Sequence, residues 1–153
     1  MTAQGLSTVW SFARYCSDVL HRQCLQVISL LLVEHPLLHR RALVARLTLE
    51  LDLVVLAEAG HQSEAVRRAD ALHPDVVLVD AEIPNLDLST IVRRLRARSP
   101  SSGIVLLSLD SSALAGTFNG DDVPIIVGKH EGIEALLAAI RAAAVHQTHG
   151  SRR

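Results

Sequence analysis

The sequence predicts one α/β domain organised on a parallel five-stranded sheet, and three observations predict it. Short, almost purely aliphatic runs recur at Leu30-Leu31-Leu32-Val33, Val76-Val77-Leu78-Val79, Ile104-Val105-Leu106-Leu107 and Ile125-Ile126-Val127-Gly128, as strands covered on both faces require. Segments of helical periodicity alternate with these runs, the pattern of repeated β-α units. Each run is followed by, or ends beside, a polar residue: Glu34, Asp80, Ser108 and Lys129. In open parallel sheets the carboxyl edge is where ligands and chemistry gather.

Taken in order, residues 1–26 read as an N-terminal extension. Val9, Phe12, Ala13, Cys16, Val19, Leu20 and Cys24 recur at helical spacing, predicting an amphipathic helix over residues 8–25. It packs on the domain or docks a partner. The domain proper spans residues 27–145. Val27–Val33 is the first strand, and Pro36 opens a helix to about Leu47, at a first-turn position where its missing N–H costs nothing. Leu53–Ala57 is the second strand. Gly60 marks a turn, and Ser63-Glu64 begins a helix that Pro74 stops. Asp75–Val79 is the third strand, Pro84-Asn85 a loop, and Asp87–Arg98 a helix with Leu88, Ile91, Val92 and Leu95 facing inward.

Residues 99–103 form a turn and Ile104–Leu107 the fourth strand. The next helix is degraded: Gly116, Thr117, Asn119 and Gly120 are poor interior residues, so residues 111–122 give one short turn or a loop. Pro124–Val127 is the fifth strand, and its proline suits a sheet edge. Gly132 to about Val145 is the last helix, and residues 146–153 read as a tail or linker. Strand order 2-1-3-4-5, the flavodoxin-like three-layer solution, brings the ends of strands one and three together. It therefore places Glu34 beside Asp80.

Composition narrows the function classes. The chain of 153 residues is 49% hydrophobic with only four aromatics, and its formal net charge is −1. Near-neutrality argues against a chain-wide nucleic-acid surface. No apolar run approaches the roughly 18 residues of a membrane span, and no charged start precedes a long apolar block, so a cytoplasmic location is expected. Cys16 and Cys24 are eight residues apart, too far to bridge on one helix; reduced thiols are expected. The eight histidines are scattered, and Pro36 makes His35 and His39 a helix start rather than a ligand pair. No glycine-rich phosphate loop or nucleophile elbow occurs. Glu34-His35-Pro36-Leu37 lacks the hydroxyls a flavin phosphate loop uses.

Over residues 27–145 the chain resembles a bacterial response-regulator receiver domain (CheY-like fold), nearest the NarL/FixJ or LuxR-type subfamily. The carriers are Glu34-His35-Pro36-Leu37, Pro74 through Asp80, Pro84 followed by Asp87, Ser108, Lys129 and the helix from Glu134 to Ala144. The resemblance implies that Asp80 accepts a phosphoryl group from a histidine kinase, that Ser108 and Lys129 contact it, and that Ile126 stands at the switch position. It further implies a magnesium site made by Glu34, Asp80 and the backbone carbonyl of Glu82.

The departures shape the functional expectation. The family carries two adjacent acids after its first strand; here the first is Val33 and only Glu34 remains. Magnesium demands near-ideal octahedral oxygen coordination, so a weak or vestigial site is expected, with affinity down roughly tenfold or more. Ile126 replaces an aromatic and His130 follows the lysine in place of a frequent proline. Each site residue also has a plain structural role: Asp80 and Lys129 as an ion pair, Ser108 as a turn residue, Glu34 as a negative charge at a helix start.

The sequence thus points to an atypical receiver, not an enzyme. It is expected to regulate transcription independently of phosphorylation, by dimerisation or by ligand or partner binding, and without a resident cofactor. The alternative is a conventional receiver phosphorylated on Asp80. DNA contact is expected only through an output domain outside these residues. A homodimer is expected through the Ala/Leu/Ile surface of the last helix and the basic first helix (His39, Arg40, Arg41, Arg46).

Overall fold

The computed structural model describes residues 26–120 and 123–148. The amphipathic segment 8–25, with Cys16 and Cys24, and the last five residues lie outside the described residues. Among the described residues five strands alternate with five α-helices: β1 (Ile28–Val33), α1 (Leu37–Leu47), β2 (Leu53–Ala59), α2 (Gln62–Leu72), β3 (Val76–Asp80), α3 (Leu88–Arg98), β4 (Gly103–Ser108), α4 (Ser111–Ala115), β5 (Ile125–Gly128) and α5 (Gly132–Thr148). All pairings are parallel and the strand order is β2-β1-β3-β4-β5.

Side chains alternate across a strand, and the aliphatic runs feed two separate cores. Leu30, Leu32, Val76, Leu78, Val105 and Val127 pack on one face with Leu136, Leu137 and Ile140 of α5 and Leu47 of α1. Leu31, Val33, Val77, Val79, Ile104 and Leu106 pack on the other with Ala65 and Ala69 of α2 and Ile91, Val92 and Leu95 of α3. Burial on both sheet faces is why the central runs contain no polar residue.

Helix starts follow side-chain capping. Asp87 accepts from Thr90 N at 3.1 Å and opens α3. The His61 ring accepts from Glu64 N at 3.4 Å and opens α2, one residue earlier than expected. His73, with φ 44°, ends α2 before Pro74. Pro36 stands just before α1 as its capping residue and not inside its first turn.

β2 runs two residues beyond the expected Ala57, because Glu58 and Ala59 pair with Leu32 and Val33. β4 reaches Ser108, and β3 includes Asp80. α4 has only five residues, as its glycines foretold. α5 continues to Thr148, into the expected tail.

One surface expected to face a second copy is already used. Leu136, Leu137 and Ile140 of α5 are buried on the chain's own sheet. On α1, Arg40 pairs with Glu58 at 3.0 Å and Arg46 with Glu50 at 2.8 Å. Among the described residues no helix is long and apolar enough to cross a membrane.

Candidate functional site

The four strand-end residues meet at the carboxyl edge of the sheet. Asp80 is the last residue of β3 and is 3% exposed; Glu34 follows β1 and is likewise 3% exposed. Register explains the meeting, since Val33 pairs with Val79 and Asp80 with Leu107. Ser108 ends β4 directly opposite Gly128 of β5, which puts Lys129 next in line. Ile126 lies away from this edge, half-buried beside Leu106 on the α2–α3 side of the sheet.

Lys129 Nζ lies 2.7 Å from Asp80 Oδ1 and 3.1 Å from Glu82 Oε2. Glu82 was expected to offer only its backbone carbonyl. Its side chain instead turns inward, where Oε1 accepts from Ser108 Oγ at 3.1 Å and from Leu109 N at 2.9 Å. The Glu82 N–H in turn donates to Asp80 Oδ1 at 3.0 Å. Ser108 Oγ also accepts from Asp110 N at 3.1 Å, and the Asp110 carboxylate caps α4 by accepting from Ala113 N at 3.0 Å. A hydrogen-bonded path therefore runs from Glu82 through Ser108 to the start of α4.

Burial, a hydrogen bond to Asp80 and the Asp80 charge push the Glu34 carboxyl up to about 8. Glu34 Oε1 is buried without a hydrogen-bond partner. Burial raises the Asp80 carboxyl as well, but hydrogen bonds from Glu34, Lys129 and Glu82 outweigh it and hold Asp80 below the usual carboxylate range. Burial disfavours the Lys129 charge, yet its bonds to Asp80 and Glu82 raise the ammonium above its ordinary value.

These donors do not suit the magnesium the resemblance implied. Val33 is fully buried in the apolar core and offers no oxygen. The Glu34 carboxyl is raised to about 8, which weakens it as a ligand, and Asp80 Oδ1 is taken by Lys129 and the Glu82 N–H. Among the described residues no group of three His, Cys, Asp or Glu is arranged to hold a metal.

The inward turn of the Glu82 side chain escaped sequence reasoning. Its signal was present: an acid two residues after Asp80, in a loop beside a lysine and a serine.

Comparison with known proteins agrees with the fold. The family model described as the response regulator receiver domain matches residues 30–141. The DNA-binding transcriptional activator EvgA of Escherichia coli K12 is 31% identical over 116 residues, covering 75% of this chain and 56% of EvgA. The chain thus spans about half the length of this curated relative. The receiver domain of CheB from Thermotoga maritima superposes with a TM-score of 0.66 at 26% identity, covering 78% of this chain and 97% of that one. The receiver domain of NarL from Mycobacterium tuberculosis gives 0.67 at 21% identity, with 78% and 98% covered.

Proposed function

We propose that this chain, which belongs to the response regulator receiver domain family, works as a receiver that signals without accepting a phosphoryl group. The observation that carries this reading is how the pocket's acids are already engaged. One ammonium, Lys129, joins Asp80 and Glu82, and burial beside Asp80 raises the Glu34 carboxyl to about 8. A phosphoryl donor needs a divalent cation to offset its charge beside a carboxylate nucleophile. The oxygen at the first acidic position is missing because Val33 stands there.

On this reading the domain is a cytoplasmic regulatory module and not an enzyme. Its output is transcriptional, by likeness to EvgA, and is delivered through a DNA-binding unit outside these residues. The partner classes it carries are a second copy of the chain, a small-molecule ligand or a sensor protein such as a histidine kinase.

A second reading has its own support. The Asp80 carboxyl is held below the usual range, Lys129 touches it directly and Glu82 links both to Ser108, so the nucleophile and both phosphate-contact candidates persist. Treatment with a small-molecule phosphodonor and magnesium separates the two. The first reading expects an unmodified protein. A stable acyl-phosphate adduct that Asp80→Asn abolishes establishes the second.

A further inference from the structure

The amino edge of the sheet, opposite the edge that carries Asp80, holds a cleft of about 400 Å³. Val27 and Ile28 at the start of β1, Pro74 before β3 and Ala144 of α5 give it an apolar lining. Arg141 also lines it, fixed by its ion pair with Asp52 at 2.7 Å. The apolar surface continues outward from the cleft. Ile28 N donates to Asp52 O at 2.8 Å, which sets Val27 beside Leu51. Val27 is 51% exposed, Leu49 71% and Leu51 87%. Single exposed leucines are ordinary, but neighbouring ones beside an apolar cleft mark a surface that something covers.

We propose that residues 8–25 of the same chain dock there as an amphipathic helix, with their apolar face in the cleft and over Val27 and Leu51. The described residues start at Gln26, which itself lines the cleft. Residues 8–25 lie outside them, and the sequence of that segment carries the match. Val9, Phe12, Cys16, Val19, Leu20 and Cys24 share one helical face, while Ser11, Arg14, Asp18 and Arg22 share the opposite one. Three of the chain's four aromatics, Trp10, Phe12 and Tyr15, fall in this one segment. A helix of that span is about 27 Å long, and the ends of five strands measure roughly 19 Å across, so it reaches over the whole edge. Cys24 is two residues from Gln26, at most about 7 Å of chain. Such a tether holds the apolar face at the cleft at high effective concentration. The docking lies on the far side of the sheet from Asp80 and does not rest on whether that residue is phosphorylated.

Alkylation of Cys16 and Cys24 by N-ethylmaleimide in the full chain tests this, because both thiols sit on the face that docks. Each reacts roughly tenfold or more slowly in wild type than in Phe12→Glu, which puts a charge on that face, and the wild-type rate does not change on dilution. Ala144→Arg, which fills the cleft, speeds both thiols to the same extent. Leu51→Glu, at a position too exposed to bear on folding, serves as the cleft-side variant should Ala144→Arg fail to melt cooperatively. Leu56→Glu, on the outer edge of β2, leaves both rates alone. Thiols that react as fast in wild type as in Phe12→Glu overturn the inference. So does a folded cleft-side variant that keeps them protected, or a Leu56→Glu protein that releases them. Protection that is lost on dilution overturns it too, since a second copy and not the chain's own segment then fills the cleft.

Discussion

Lys129 Nζ stands 2.7 Å from Asp80 Oδ1, a contact that joins the carboxyl ends of β3 and β5 across the end of β4. The same ammonium reaches Glu82 Oε2 at 3.1 Å, so one cation serves two anions that belong to one loop. The contact with Asp80 is the stronger of the two, since Asp80 is almost fully buried while Glu82 is partly solvated. Burial makes the pair a commitment: once Asp80 is taken out of water its charge must be met from within the protein.

Removing the cation should therefore cost stability. Lys129→Met leaves Asp80 buried and unpaired, and a loss of roughly 2–3 kcal/mol is expected, below the fully buried range because Lys129 keeps some solvent contact. Adding Asp80→Asn to Lys129→Met should recover much of that loss, since the uncompensated charge is gone. Urea denaturation of the two single variants and the double variant measures the coupling; strictly additive losses would contradict it.

Glu34 makes stability depend on pH. Its folded carboxyl titrates at about 8, above the ordinary 4.5. The folded state thus holds a proton that the unfolded chain releases above its ordinary value. This contribution is full below 4.5, declines as pH rises towards 8, and is flat beyond. Asp80 is shifted downward, so its contribution is present above the ordinary carboxylate range and fades on acidification. Glu34→Gln should flatten the decline and raise the melting midpoint at alkaline pH by a few degrees, at roughly 2–4 °C per kcal/mol. Melting curves from pH 5 to about 9 check this; parallel wild-type and variant profiles would contradict a protonated Glu34.

Much of this was legible in the sequence, for identifiable reasons. Val76 to Val79 is apolar without a break because both sheet faces are covered, and such a run admits few other readings. α4 was legible through the glycines and Asn119 that follow it. The meeting of Glu34 and Asp80 followed from strand order alone. The end of β2 was hidden by Glu58, a charge in an edge strand whose partner, Arg40, lies on another element. The α5 surface was misread because its apolar residues were counted as free before the sheet had claimed them. Glu82 was missed because rotamer choice in a loop leaves no periodic trace.

Close packing gives a sharper test of the fold. A Cβ on Gly103 would meet the backbone carbonyl oxygen of Ala143 at 2.6 Å, so α5 crosses the start of β4 with no room for a methyl. Gly103→Ala should destabilise by roughly 1–3 kcal/mol, as overpacking does. A neutral result in denaturant unfolding would mean that α5 sits farther from the sheet.

The shortness of α4 should be visible in exchange. Its five residues are all outside the core and follow the cap made by Asp110. Amides from Ser111 to Ala115 should exchange with deuterium far faster than those of β4, since a helix of this length gains little from tertiary packing. Protection equal to that of β4 would contradict this.

The pocket's acids are engaged by Lys129 and by one another, and with Val33 in place of an acid they leave no seat for a divalent cation. Magnesium titration of the full chain, followed at the amides of Ala81 and Glu82, measures this most directly. The account predicts no saturable response across physiological magnesium concentrations. A saturating shift in that range, lost in Asp80→Asn, would contradict it.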